Sequence, residues 1–141
     1  PDGKSPTFLL RAAKDPDGAN LDRIQVIKGW RDKAGGLHEK IYNVALSDGR
    51  VVDESGRTKP VGNTVDVANV SYTNSIGEAE LSVVWKDPEF DGSEHAFYYG
   101  RVLEIPTPRW TDFDSIGVDS TAGFPMTIVE RAYTSPIWYT P

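Results

Sequence analysis

Residues 95–110, HAFYYGRVLEIPTPRW, decide the fold. The first ten of them are rich in aromatic and β-branched side chains and are apolar on both faces, which is typical of a strand covered on both sides. Pro106 and Pro108 cannot donate ladder hydrogen bonds, so the strand ends before them. After a turn-rich interval, residues 127–139 return to strand, with an interruption near Pro136. We therefore expect most aromatic residues of these segments to lie in the core.

Strand patterns outnumber helix patterns in the rest of the chain as well. The predicted upstream strands cover residues 7–12, 21–30, 37–45, 64–73 and 78–86. Residues 37–45 also match a short helix, but Gly35 before them and Gly49 after them bound the segment as a strand. One helical turn is predicted after Asp112, which would be its N-cap. Seven to nine short strands with little helix predict an all-β, antiparallel β-sandwich of the immunoglobulin or fibronectin type.

Composition limits the classes of function. The 141 residues suit a single domain, and residues 1–6 resemble a linker remnant, which indicates the C-terminal fragment of a longer protein. The net charge is −6 and no basic stripe is present, which disfavours nucleic acid. No apolar run reaches the ~20 residues of a membrane span. The absence of Cys excludes disulfides but leaves the compartment open, the periplasm and cell envelope included.

Catalytic patterns are lacking. His38 and His95 are the only histidines, and neither belongs to a zinc-binding spacing. No Ser lies in a nucleophile elbow, and the carboxylates of Glu78 and Glu80 fit a solvated strand face. We therefore predict no catalytic residue and no cofactor in this chain.

Two acidic loops are candidates for calcium. Asp87, Glu89 and Asp91 alternate before Gly92, as in the first half of a calcium-binding loop, but Tyr98 stands where the twelfth-position Glu is required. The second cluster consists of Asp15, Asp17, Asn20 and Asp22, where the glycine comes too early for such a loop. Polar hairpin turns are the alternative interpretation of both.

Aromatic residues provide the remaining candidates. Trp85 lies in an alternating strand and is predicted to be core. Arg109 and Trp110 follow two prolines on a rim and are candidates for an exposed binding surface. Tyr98 is a candidate for a strand tyrosine whose hydroxyl bonds back to the preceding loop.

Four strings carry a resemblance to a known family: LDRIQVIKGW, VGNTVDVANVSYTNSIGEAELSVVW, AFYYGRVLEIPTPRW and ERAYTSPIWYTP. Over nearly its whole length the chain resembles the C-terminal end of a bacterial domain-of-unknown-function family, three-six-zero-four. The resemblance implies a longer parent whose N-terminal body is similar to a metal-dependent hydrolase of the polymerase and histidinol phosphatase type. The histidine-rich motifs of that body are not in this sequence, so no metal ligand or catalytic residue carries over.

The resemblance therefore implies a non-catalytic accessory sandwich that packs against the N-terminal domain of its own parent chain. Under this hypothesis, one face carries an apolar or aromatic patch, with the rim of residues 106–110 nearby. Two alternatives stay open. One is a stand-alone carbohydrate- or peptide-binding sandwich, and the other is a calcium-stiffened structural module.

Overall fold

The chain folds into antiparallel β-sheets in a computed structural model, which describes residues 4–114, 116 and 124–141. Strands take up 46% and helix 4% of it, which confirms the predicted all-β sandwich. The elements are β1 (Thr7–Ala13), β2 (Leu21–Arg31), β3 (Leu37–Leu46), β4 (Glu80–Lys86), β5 (His95–Glu104), β6 (Thr107–Pro108), α1 (Trp110–Asp114), β7 (Thr127–Ile128), β8 (Arg131–Tyr133) and β9 (Ile137–Tyr139).

Two sheets of unequal width form the layers. The wide sheet has the order β3-β2-β5, and β8 and β9 both pair with the far edge of β5. The narrow sheet consists of β1 and β4. A third, two-residue pairing joins β6 to β7 just after the prolines. Within the described residues, no sheet closes into a barrel.

The core lies between the wide and narrow sheets. One buried cluster joins Leu21 and Ile24 of β2 to Leu81 of β4, and a second joins Val26 to Ala96 and Tyr98 of β5. The side of the wide sheet that faces these clusters is called here the inner face, and the opposite side the outer face. Because strand side chains alternate, successive residues of β2, β3 and β5 lie on opposite faces, except at the register shifts between Leu21 and Arg23 and between Ile24 and Gln25.

The strand buried on both faces is β2, and the prediction that β5 is covered on both sides is wrong. In β5, Ala96, Tyr98 and Gly100 are buried, whereas Phe97 and Tyr99 between them are only half-buried. The reason is that the narrow sheet covers the inner face only. The outer face of β5 has no second layer within the described part of the chain.

The predicted strand over residues 64–73 is also wrong, because side-chain hydrogen bonds hold this segment in turns. The Asp66 carboxylate accepts bonds from the Asn69 backbone N–H (3.2 Å) and amide Nδ2 (2.7 Å). Val70 has a positive φ of 46°. Only an isolated bridge between Asp66 and Ser71 remains. Such local side-chain hydrogen bonds compete with the backbone hydrogen bonds that would pair this segment with another strand.

The short helix begins before the predicted position. Asp112 lies inside α1 and is buried, and its N–H donates to the Arg109 carbonyl at 2.9 Å, so it is not the N-cap. The interruption near Pro136 is observed between β8 and β9. Residues 1–3 of the predicted linker and residues 115 and 117–123 of the turn-rich interval lie outside the described residues.

Candidate functional site

The inner face holds a buried polar cluster centred on Asp87, which follows β4. Its carboxylate Oδ2 accepts hydrogen bonds from the Lys28 ammonium (2.6 Å) and from the Tyr98 hydroxyl (2.7 Å). Its Oδ1 accepts the Glu89 N–H at 2.9 Å, and Lys28 Nζ also donates to the Glu89 carbonyl at 2.8 Å. Lys28, Asp87 and Tyr98 are all buried. This Asp87 cluster fastens the loop after β4 to β2 and β5.

Tyr98 therefore bonds back to the preceding loop, as predicted, although its acceptor is a carboxylate. Burial is the main reason that the pKa of Tyr98 lies far above the ordinary tyrosine value of 10.0, and the hydrogen bond to Asp87 raises it further. The phenol is held neutral as a donor.

A more exposed ion pair, Glu89 and Lys40, lies beside the Asp87 cluster. The Glu89 carboxylate contacts the Lys40 ammonium, and its other oxygen accepts the Tyr42 hydroxyl at 3.1 Å. The Lys40 contact is the main cause that lowers the pKa of the Glu89 carboxyl. Burial, and then the bond to Glu89, raises the pKa of Tyr42.

The three calcium candidates of this loop do not converge. Asp87 is committed to Lys28 and Tyr98, and Glu89 to Lys40 and Tyr42. The Asp91 carboxylate accepts the N–H (2.8 Å) and hydroxyl (2.5 Å) of Ser93 in a tight turn. Each of the three carboxylates is thus bonded to groups of the protein.

The other predicted ligands are also separated. Asp15 accepts the Asp17 N–H, the Asn20 amide donates to the carbonyls of residues 74, 76 and 77, and Asp22 pairs with Arg50. Over residues 4–114, 116 and 124–141, no three His, Asp or Glu side chains form a group that could hold a metal ion.

The two histidines have separate structural positions. His38 lies in β3, where Nε2 is 2.7 Å from the Asp32 carboxylate and the ring stacks on Trp30. The hydrogen bond to His38 is the main cause that lowers the pKa of the Asp32 carboxyl. His95 is the first residue of β5 and is exposed. Both histidines line one hollow at the end of β2, together with Trp30, Phe97 and Trp138.

The outer face carries a row of aromatic rings. Phe97 lies 5.2 Å from Trp138 and 6.4 Å from Tyr99, and Tyr99 lies 6.3 Å from Tyr133, between ring centroids. Trp138 is 71% and Tyr133 57% exposed. The expectation that most aromatics of these segments are core is therefore wrong for this row.

Two aliphatic side chains of β3 extend the row. Leu37 pairs with Arg31, and Ile41 pairs with Ile27, which places both on the outer face. Leu37 is 83% exposed, whereas Ile27 is buried. We call the set Leu37, Ile41, Phe97, Tyr99, Tyr133 and Trp138 the outer aromatic surface.

Gly29 determines how the row lies on the sheet. A Cβ at Gly29 would stand 2.3 Å from Cζ of Phe97, so the Phe97 ring lies directly over the bare backbone of β2. This is a close approach that only glycine permits. The ring is thereby held against the sheet and not directed into solvent.

Polar side chains border the surface on the side of residues 25, 43 and 101. Arg101 Nε donates to Gln25 Oε1, and Gln25 Nε2 donates to Asn43 Oδ1, both at 2.8 Å. These three side chains satisfy one another across three strands. The adjacent aromatic rings form the apolar part of the face.

The rim candidates lie elsewhere. Trp110 is 65% exposed at the start of α1, and the Arg109 N–H donates to the Met126 carbonyl at 2.9 Å, beside the β6–β7 pairing. Within the described residues, Trp110 makes no ring contact with another aromatic side chain. It remains an exposed candidate outside the outer aromatic surface.

A groove of about 370 Å³ opens on the inner face beside the narrow sheet. β1 forms one wall, with Phe8, Leu10 and their neighbours, and residues 134–137 form the other. Its floor is made of Ile24, Val26, Tyr98, Gly100 and Val102. The groove is therefore lined mainly by apolar side chains.

Fold and surfaces together define an antiparallel β-sandwich in which, over the described residues, aromatic side chains are exposed on the outer face of the wide sheet. The sequence profile of a family described as "Protein of unknown function (DUF3604)" matches residues 1–141, and the chain belongs to that family. No curated protein and no solved structure matches the chain. The helix α1 has five residues. Among the described residues, no helix is long and apolar enough to cross a membrane.

The outer aromatic surface was missed because both faces of β5 contain apolar residues. One signal could have found it. His95 and Arg101 share the odd-numbered face with Phe97 and Tyr99, and polar residues at both ends of a face indicate contact with solvent.

Proposed function

We propose that this domain is a non-catalytic accessory module that docks through its outer aromatic surface on another domain of a longer parent polypeptide. The observation that carries the proposal is the exposure of Trp138 and Leu37 on a face whose centre is apolar. Large aromatic side chains left exposed on a sheet face are typical of a protein interface.

The composition of the surface fits a protein partner. Aromatic residues form its middle and Arg31 and Arg101 lie at its margin, which matches the aromatic and arginine enrichment of interfaces. Glu39, between Leu37 and Ile41 on β3, adds one exposed carboxylate to the same face. The neighbouring polar groups of Gln25 and Asn43 already bond each other, so the aromatic part offers packing area and few unsatisfied polar atoms. A complementary apolar patch is the expected partner.

The family resemblance supplies a further part of the proposal: the partner domain is a metal-dependent hydrolase preceding this chain. The described residues do not fit the metal themselves, since they contain no group of three possible ligands. Under this proposal, metal chemistry is a property of the partner domain. The β-sandwich holds that domain in position.

The test compares the isolated chain with the polypeptide extended by the segment encoded ahead of residue 1. Trp138→Ser leaves the unfolding temperature of the isolated chain nearly unchanged, because the ring is mostly exposed. In the extended polypeptide the same change weakens docking by about 2 kcal/mol or more, as for a central aromatic interface residue. Calorimetry then shows the sandwich unfolding separately from its partner.

Trp110→Ser is the matched control, since Trp110 is similarly exposed but lies outside the surface. Equal effects of the two substitutions in the extended polypeptide would contradict the proposal. So would a reading frame with no domain ahead of this chain. Glycan binding by the isolated chain that is lost on Trp110→Ala would favour the carbohydrate-binding alternative.

A further inference from the structure

The two-stranded narrow sheet lies over only part of the five-stranded wide sheet. β4 contacts β3 and β2, and β1 contacts β2, so the two strands lie over one half of the five-stranded inner face. The groove described above lies over the other half, above β5 and the segment between β8 and β9. Beside β1 there is thus an opening of about 370 Å³, whose base is formed where Phe8 and Leu10 of β1 pack against Tyr98.

The backbone of β1 presents unpaired groups to this space. The Lys14 N–H donates to the Ala79 carbonyl, and the Asp87 N–H donates to the Pro6 carbonyl, so even-numbered residues of β1 face β4. By alternation, the N–H and C=O groups of Leu9 and Arg11 point to the opposite edge. Within the described residues, β1 pairs with β4 alone, so that edge is free.

The residues that line the groove limit which side chains an occupant can place in it. Arg11 is the single charged residue of the lining, and its guanidinium is already bonded to Glu80 at 2.8 Å. The inward side chains of an occupant are therefore uncharged. A row of backbone donors and acceptors at strand spacing is satisfied by another strand, and not by a small apolar molecule.

We propose that the groove receives one extended β-strand, which pairs with the free edge of β1 and directs apolar side chains into the opening between β1 and residues 134–137. The strand is supplied by the longer polypeptide, so this inference rests on the proposed function for its source. Leu10 and Thr134 already cover Gly100 at the middle of the groove, since a Cβ at Gly100 would stand 3.6 Å from Leu10 Cδ2 and 3.2 Å from Thr134 Cγ2. The incoming strand therefore packs on these two side chains and not on Gly100 itself.

Amide hydrogen exchange tests the pairing. In the extended polypeptide, the Leu9 and Arg11 amides exchange at least about tenfold more slowly than in the isolated chain, because each gains a backbone partner. The Leu10 amide faces β4 in both and is the internal reference. If Leu9 and Arg11 exchange equally fast in both polypeptides, the inference is overturned.

A pair of substitutions at one exposed position sharpens the test. Leu9 is 77% exposed, so Leu9→Thr keeps the N–H and preserves the slow exchange of Arg11. Leu9→Pro removes that N–H at a free edge, where proline is tolerated, and restores fast exchange at Arg11 while Leu10 stays protected. Equal Arg11 exchange in the two variants would argue against strand addition.

The two proposals fail in different ways. Fast exchange along β1, together with separate unfolding caused by Trp138→Ser, would contradict strand addition to β1 and support docking through the outer aromatic surface. Slow exchange along β1, with no effect of Trp138→Ser, would support strand addition to β1 and contradict docking through the outer aromatic surface.

Discussion

The two faces of the five-stranded sheet are built from similar residues and differ in what covers them. On the inner face, Tyr98 is buried and bonded to Asp87. One residue further along the same strand, Tyr99 lies on the outer face, half-buried within a ring row that ends at the exposed Trp138. The comparison teaches that buried inner-face side chains such as Tyr98 stabilise this domain, whereas exposed outer-face side chains such as Trp138 are the ones that another molecule can contact.

The largest effect is expected from Asp87→Asn. The change leaves the Lys28 ammonium buried without its counter-charge, which costs about 3–5 kcal/mol in free energy of unfolding. Urea denaturation measures it. Asp91→Asn, in the same loop, is the control, because an amide oxygen can still accept the bonds from Ser93. A loss below 1 kcal/mol for Asp87→Asn would mean that the cluster is not central to stability.

The second effect separates the two tyrosines. Tyr98→Phe removes a buried hydrogen bond to a charged group and lowers the free energy of unfolding by about 1.5–3 kcal/mol. Tyr99→Phe keeps the ring on the outer face and changes it by less than about 0.5 kcal/mol. Thermal unfolding of both variants is the measurement. Equal losses would erase the distinction between the faces.

Alkaline pH should weaken the inner face. The pKa of Tyr98 is raised in the folded state, so its contribution is complete below the unfolded-state pKa of 10.0 and is lost as the pH rises above it. The loss is up to about 1.4 kcal/mol of free energy of unfolding per pH unit. Denaturation series from pH 8 to pH 11 measure it. Tyr98→Phe should flatten this decline and Tyr99→Phe should not.

The smallest effect is expected from Gly29→Ala. The new Cβ would meet the Phe97 ring, which can swing away from the sheet, at a cost of about 1 kcal/mol in free energy of unfolding. The contact between Phe97 and Trp138 is then lost, and the ring-current shifts of Trp138 in NMR spectra report it. Unchanged Trp138 shifts would show that Gly29 does not position the row.

The sequence predicted strands well because alternation and turn residues are local signals. β2 and β4 lie where alternation placed them, ending near Gly or Asp. It failed at residues 64–73, where the Asp66 carboxylate holds a turn that strand propensity does not describe. It also placed the helix start at Asp112, although the helix begins at Trp110.

The functional surfaces were harder to predict because they depend on which strands meet. The acidic loop was recognised around Asp87, but its cationic partner, Lys28, comes from a strand far upstream. Similarly, Trp138 lies in an apolar segment that looks like core, and only the pairing of β9 with β5 places it on the uncovered face. Layer assignment is a long-range property that local patterns do not contain.

Radical footprinting of Trp138 tests the central claim most directly. In the extended polypeptide we expect oxidation of Trp138 at least about fivefold slower than in the isolated chain, with Trp110 as the exposed reference outside the outer aromatic surface. Equal oxidation of Trp138 in the two polypeptides would contradict the claim that the outer face is a docking surface.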